Sequence, residues 1–259
     1  MDADFGYSPT RPERPFLLAT DIDGTILGDE AGESVLRSFA QNHRPSFRLA
    51  YVTGRYRSSV ERLVAEGRLP TPDFICCNVG TDLIAVGDPD NALGRKYAAR
   101  VGPEWDLETI YRLGVGEGVG RQDFNQEQPP FQAGFDWDGQ AQTLQAFHSR
   151  LAGLDHFHIL ASYGEFIDVL PNPLGKGKAV EFLQRELGID PARVVVAGDS
   201  GNDREMFETA FRGILPVNAL DELKAVARPS RHYQSPLPAG QGVLDGLRHF
   251  GFVAPRETP

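Results

Sequence analysis

Asp21-Ile22-Asp23-Gly24-Thr25 follows directly on the apolar run Phe16 to Thr20. In an extended segment, residues two apart project to the same side. The Asp21 and Asp23 carboxylates are therefore expected to crowd together where that segment ends. Two bare carboxylates at such range oppose each other's ionisation. A divalent cation relieves the conflict, and Gly24 lets the chain turn sharply behind it. One member of the pair can then attack an electrophile while the other moves protons.

Three further clusters carry chemistry. Thr53-Gly54-Arg55 supplies a hydroxyl, a permissive glycine and backbone N–H groups able to hold phosphate oxygens, although Thr-Gly is also a common turn. Gly198-Asp199-Ser200-Gly201-Asn202-Asp203 supplies two carboxylates and an amide, a set of hard oxygen ligands suited to Mg²⁺. It also reads as a turn with Asp203 as helix N-cap; the acidic pair at Asp21 and Asp23 favours the ligand reading. Gly175-Lys176-Gly177-Lys178 precedes a helical pattern with Val180, Leu183 and Leu187 inward. A lysine at a helix start is electrostatically misplaced unless an anion lies nearby. Alone, it would read as a solvated basic turn. Beside a site that lacks a cation for phosphate, Lys176 is the choice and Lys178 the fallback.

The elements that would position these clusters alternate. Strands are expected at Phe16 to Thr20, Arg48 to Val52, Phe74 to Asn78, Val194 to Gly198 and Gly213 to Val217. Helices are expected at Glu33 to Gln41, Arg57 to Glu66, Gly177 to Leu187, Asp203 to Thr209 and Gly242 to Phe250. Apolar strands alternating with amphipathic helices predict a doubly wound parallel sheet, an α/β fold with ligands at the strand ends. Between the two blocks the pattern changes to helices at Glu104 to Leu113 and Asp138 to Leu151, with short extended pieces around them. The expected division is a sheet domain over 14–85 and 168–255, with a smaller inserted α+β cap over 86–167. That insert holds 12 Asp and Glu against 6 Lys and Arg.

Composition sets the outer bounds. Of 259 residues, 41% are hydrophobic and 24% charged, the profile of a soluble globular protein. The formal charge of −10 disfavours nucleic acid or an anionic membrane as the main partner. No apolar run approaches the roughly 18 residues of a membrane span. The polar, Pro-punctuated start, Met1 to Pro15, reads as a loose arm rather than a signal peptide. Cys76 and Cys77, beside Phe74 and Ile75, read as core residues, and a reducing cytoplasm is the expected compartment.

In their order and wording, the four clusters resemble the signature of haloacid dehalogenase-like phosphohydrolases: Asp-x-Asp-Gly-Thr, Thr-Gly-Arg, Lys-Gly before a helix, and Gly-Asp-Ser-Gly-Asn-Asp. The insert resembles the C2-type cap of that superfamily. Leu49 to Arg55, Val79-Gly80, Asp168 to Pro171 and Gly242 to Phe250 are similar to the sucrose-phosphatase branch, which includes mannosylfructose-phosphate phosphatases. The resemblance spans about Phe16 to Phe252. It implies that Asp21 is the nucleophile, forming an aspartyl-phosphate, and that Asp23 is the general acid and base. It implies Mg²⁺ held by Asp21, the Asp23 carbonyl, Asp199 and, directly or through water, Asp203. Thr53, Gly54, Lys176 and Asn202 would hold the phosphoryl oxygens.

The insert departs from the branch in two places. Where a Gln-x-Pro-x-Lys-like stretch is expected, the chain reads Gln128-Pro-Pro-Phe-Gln132, with an amide in place of the lysine. Where Ser-x-Gly-x-Asp-x-Asp is expected, Ser162 to Asp168 has Phe166 for the middle aspartate. Gln128, Gln132, Glu165 and Arg55 are the candidate sugar contacts; Trp105 and Trp137 fit core packing better than stacking on a sugar. The expected substrate is a disaccharide phosphate, with sucrose 6-phosphate leading and mannosylfructose phosphate a close rival. A phosphomutase and a non-catalytic sugar-phosphate binder are the competing readings. Association with a glycosyltransferase that forms the sugar phosphate is the expected partnership.

Overall fold

Five consecutive residues of β1 (Phe16–Thr20) are buried, as an unbroken apolar run demands of a central strand. In the computed structural model, which describes residues 15–44, 46–124, 128–162 and 164–253, β1 leads into α1 (Glu30–His43), β2 (Phe47–Val52), α2 (Arg57–Ala65) and β3 (Phe74–Cys77). Next come β4 (Asp82–Ala85), α3 (Ala92–Ala98), α4 (Leu107–Gly114), β5 (Val119–Arg121), β6 (Ala133–Trp137), α5 (Ala141–Leu151), β7 (Phe157–Ser162) and β8 (Phe166–Pro171). The chain then returns through α6 (Lys176–Glu186), β9 (Val194–Ala197), α7 (Arg204–Glu208), β10 (Arg212–Leu215), α8 (Asp221–Lys224), β11 (His232–Gln234) and α9 (Ala239–His249).

The main sheet has seven strands in the order β11-β10-β9-β1-β2-β3-β4, all parallel except β4, which runs antiparallel to β3. Strand order reverses between β9 and β1, and the loops leaving these two strands diverge there. That opens the crevice in which doubly wound sheets take ligands. Helices cover both faces. Leu36 and Phe39 of α1, Val60 of α2 and Val243 of α9 pack on Leu18, Leu49 and Tyr51. On the other face, Val180 of α6, Met206 of α7 and Tyr97 of α3 pack on Leu17, Ala50 and Val196.

A second, four-stranded antiparallel sheet has the order β5-β6-β8-β7. Its core is Ile110, Tyr111, Phe135, Phe147, Leu151, Ile167 and their neighbours, with Trp105 and Trp137 packed against it. Both tryptophans thus fall on the core-packing side of the expectation. The division at residues 86 and 167 needs correcting. Helix α3 lies inside that span but buries Tyr97 in the main core. Strand β8 straddles residue 167 and carries the cap sheet on to Pro171. Helix α1 also starts earlier than expected, because Asp29 caps it by accepting from the Gly32 N–H at 3.0 Å. Cys76 and Cys77 are buried and free, their thiols raised by burial. The arm expected over Met1 to Pro15 lies outside the described residues, except for Pro15 itself.

Candidate active site

The first and fourth motifs are folded onto each other. Asp21 continues the β1–β9 pairing one step past the strand, its N–H donating to the Ala197 carbonyl at 2.9 Å. Gly24 then takes φ +71°, and a Cβ there would overlap the Asp199 carboxylate, so the turn needs glycine on both counts. Thr25 Oγ1 donates to Asp199 Oδ1 at 3.1 Å and locks the two loops together.

Lys176 stands at the centre of this arrangement. It opens α6, one residue earlier than the sequence pattern suggests, and is wholly buried. Its Nζ donates to Asp21 Oδ1 at 3.0 Å, Asn202 Oδ1 at 2.7 Å and Asp203 Oδ1 at 2.6 Å. Burial works against its charge, but Asp203 and Asp21 outweigh burial and hold the ammonium above its ordinary pKa. The turn that carries it is braced from the side. Tyr97 Oη donates to the carbonyls of Gly80 and Gly175, at 3.1 and 3.2 Å. Helix α3 therefore serves the site rather than the cap.

Asp203 is fully engaged. Its Oδ2 accepts from the Asp199 and Ser200 N–H groups at 2.9 and 3.1 Å, while Oδ1 faces the lysine. Asp21 is pushed well above the usual carboxylate range, first by burial and then by the charges of Asp203 and Asp199, with Lys176 opposing. Burial and Asp203 push Asp199 up to about 7. One buried lysine therefore leaves this acidic group short of positive charge. One oxygen from each of Asp21, Asp199 and Asp203 can be chosen so that all three lie within 4.8 Å of one another. An oxygen-only donor set with excess negative charge fits a hard divalent cation such as Mg²⁺.

The second motif closes the opposite wall. Thr53 is buried, anchored by its N–H to the Cys76 carbonyl and by its carbonyl to the Val79 N–H, each at 2.9 Å. Arg55 forks onto Asp23, with Nε to Oδ2 at 2.7 Å and Nη2 to Oδ1 at 2.6 Å, while Nη1 donates to Ser59 Oγ at 2.8 Å. Asp23 is the open member of the acidic pair, its side chain 49% exposed. A cleft of about 340 Å³ results, lined by Asp21, Asp23, Thr53, Gly54, Arg55, Tyr56, Ser59 and Asn202.

A smaller pocket of about 130 Å³ shares Gly54, Tyr56 and Asn202 with the cleft and reaches into the cap. Its cap wall includes Gln132, Ser162, Phe166 and Asp168. Gln132 Nε2 donates to Asp168 Oδ1 at 2.6 Å, and its Oε1 is buried without a partner among the described residues. Burial raises the Asp168 carboxyl to about 6, the Gln132 bond opposing. Gln132 lines this pocket, whereas Gln128 does not. The Gln128 amide is held inside the cap, Nε2 on the Pro129 and Gln132 carbonyls and Oε1 accepting from Tyr111 Oη and Arg121. Glu165 is exposed on the β7–β8 turn and lines neither cavity. Arg55, expected on the sugar, directs both fork nitrogens to Asp23. Asp168, at the end of the Ser162 to Asp168 motif, lines the pocket beside Gln132 and is not among the sugar-contact candidates read from the sequence.

A family model for sucrose-6F-phosphate phosphohydrolase matches residues 14–251. The chain belongs to that family. It is 33% identical to a mannosylfructose-phosphate phosphatase of Agrobacterium fabrum, over 91% of this chain and 96% of the relative. A glucosylglycerol-phosphate synthase of Pseudomonas anguilliseptica is 32% identical over 92% of this chain, which spans only 31% of that longer relative. Among solved structures, the sucrose-phosphatase of Synechocystis sp. in complex with sucrose and phosphate superposes with a TM-score of 0.84 at 29% identity. That match covers 93% of this chain and all of the other. The family explains why four loops distant in sequence converge on one crevice.

Proposed function

We propose that this chain hydrolyses a disaccharide phosphate monoester, with sucrose 6-phosphate the leading substrate. The observation that carries this reading is the convergence of Asp21, Asn202 and Asp203 on the buried Lys176 amine, at the floor of a cleft faced by Thr53. In the first step the Asp21 carboxylate attacks phosphorus, the bond from phosphorus to the sugar oxygen breaks, and Asp23 gives that oxygen a proton. In the second, Asp23 takes a proton from water, the water oxygen bonds to phosphorus, and the bond from phosphorus to the Asp21 oxygen breaks, releasing inorganic phosphate and the free carboxylate. Lys176, Asn202, Thr53 and the Gly54 backbone hold the phosphoryl oxygens through both steps. Arg55 fixes where the Asp23 carboxylate points. Asp21, Asp199 and Asp203, with the Asp23 carbonyl, would hold Mg²⁺, which supplies positive charge to offset that spread over the transferring group.

The cap pocket supports a polyhydroxylated leaving group. Gln132 Oε1, Ser162 and Asp168 offer acceptors and donors without a cation, so they suit hydroxyls rather than a second phosphate. The 33% identity to a mannosylfructose-phosphate phosphatase makes mannosylfructose phosphate the second candidate. A synthase that contains a region similar to this chain supports a working partnership with a glycosyltransferase that forms the sugar phosphate. Buried, unpaired Cys76 and Cys77 suit a reducing compartment. Phosphate release from sucrose 6-phosphate, mannosylfructose phosphate, trehalose 6-phosphate and glucose 6-phosphate tests the assignment. The expected order places the first two well above the others; equal rates on glucose 6-phosphate would refute the disaccharide reading.

A further inference from the structure

The cap touches the machinery of the sheet domain at a point outside the substrate cleft. Strand β7 forms an edge of the cap sheet and lies against the turn at Gly201–Asp203. From β7, the imidazole Nε2 of His158 approaches Glu205 Oε1 to 3.2 Å. The approach is close but misaligned: Nε2 is buried and makes no hydrogen bond among the described residues. Lys178 and Asn172 are the other polar groups near this ring. The second oxygen of Glu205 accepts from the Gly177 N–H at 3.2 Å, one residue beyond Lys176. The Gly175–Gly177 turn is moulded to this side chain. At Gly175, where φ is +138°, a Cβ would overlap the Glu205 carboxylate, and one at Gly177 would strike the Glu205 backbone.

We propose that Glu205 is a positioning residue linking the cap to the Lys176 turn, and that His158 bonds to it when the cap seats on a sugar. The link runs from cap strand to carboxylate, from carboxylate to backbone N–H, and from there to the amine against Asp21. A buried ring nitrogen without a partner is costly. A small rotation of the cap would align Nε2 with Oε1 and remove that cost, so sugar binding in the cap would be felt at the phosphate end. Neither residue lines the main cleft or the cap pocket. The inference rests on the proposed role of Lys176 as a phosphate-holding group.

Two substrates separate the link from that reading: the sugar phosphate, which the cap grips, and p-nitrophenyl phosphate, which offers no sugar. His158→Ala is expected to lower kcat/KM for the sugar phosphate about threefold to tenfold, the effect of one hydrogen bond, and to leave the aryl ester unchanged. Glu205→Ala is expected to lower kcat on both by about tenfold to a hundredfold, because the lysine turn loses its brace. Glu205→Gln keeps an acceptor for the Gly177 N–H and is expected to restore most of kcat on the aryl ester. Equal losses on both substrates for His158→Ala, or no loss, would overturn the link. So would unchanged kcat in Glu205→Ala, or no recovery in Glu205→Gln at an unchanged melting temperature. A wild-type enzyme active on the aryl ester but inert to sugar phosphates would instead sink the functional reading. The comparison of the two Glu205 variants on the aryl ester would then still decide whether that side chain braces the lysine.

Discussion

Lys176 and Asp203 at the strand ends of the sheet domain, and Gln132 and Asp168 on the inner face of the cap, sit in opposite hydrogen-bonding environments. At the strand ends Lys176 and Asp203 are answered by several partners each: Lys176 has three acceptors, and Asp203 uses both oxygens. In the cap pocket, among the described residues, the Asp168 carboxylate has Gln132 as its side-chain partner and Gln132 Oε1 has none. A saturated network is rigid and suits a phosphoryl group whose shape never varies. An unsaturated one leaves hydrogen-bonding capacity for a ligand that comes and goes. On the proposed reading, chemistry and selectivity are thus housed in two regions built to different standards of satisfaction.

The contrast can be broken most severely at its rigid end. Asp21→Asn removes the attacking carboxylate while keeping its shape, and turnover is expected to fall by about 10⁴-fold or more with the fold intact. Unchanged phosphate release would refute the nucleophile. Lys176→Met leaves Asp21 and Asp203 buried without their cation, and an unfolding loss of about 3–5 kcal/mol is expected in denaturant titrations with chelator present. A loss below about 1 kcal/mol would mean that the network is not held by this amine. Chelation is expected to abolish activity and lower the melting temperature. Mg²⁺ at about a hundred times its dissociation constant should return about 2.7 kcal/mol. No thermal response to the ion would argue against the Asp21, Asp199 and Asp203 site.

A further effect lies in the cap and depends on pH. Burial holds the Asp168 carboxyl near 6, above its ordinary 3.8. Because the folded value is raised, the stability tied to the protonated form is complete below pH 3.8 and is lost as pH rises through 6. Asp168→Asn should therefore match wild type near pH 4 and exceed it above pH 6, by up to about 3 kcal/mol. A gap that does not grow with pH would show that Asp168 is satisfied as Asp203 is at the strand ends. That result would erase the contrast between the two regions.

Legibility followed the same boundary. Asp21, Asp23, Thr53, Asp199, Asn202, Asp203 and Lys176 sit in short contiguous stretches beside apolar strands, so type and spacing sufficed to find them. Strands β4 and β11 have four and three residues, too few for a period to show. Helix α3 has seven, and nothing in them says which core will take Tyr97. In the cap, Gln128 and Gln132 looked alike. One became a brace within the cap and the other a pocket wall, according to how the loop between β5 and β6 folds back.

Order and composition of the motifs were enough to point to a doubly wound sheet with an acidic site at its strand ends and a lysine beside it. Local rules govern those features: alternation of apolar runs, tight turns, and carboxylates two apart. The pairing of Arg55 with Asp23, the bracing of the Lys176 turn by Tyr97, and the approach of His158 to Glu205 join residues between 32 and 78 positions apart. No local rule reaches that far. Such contacts are set by which faces the sheet and cap bury, and they exist only once the layers have packed.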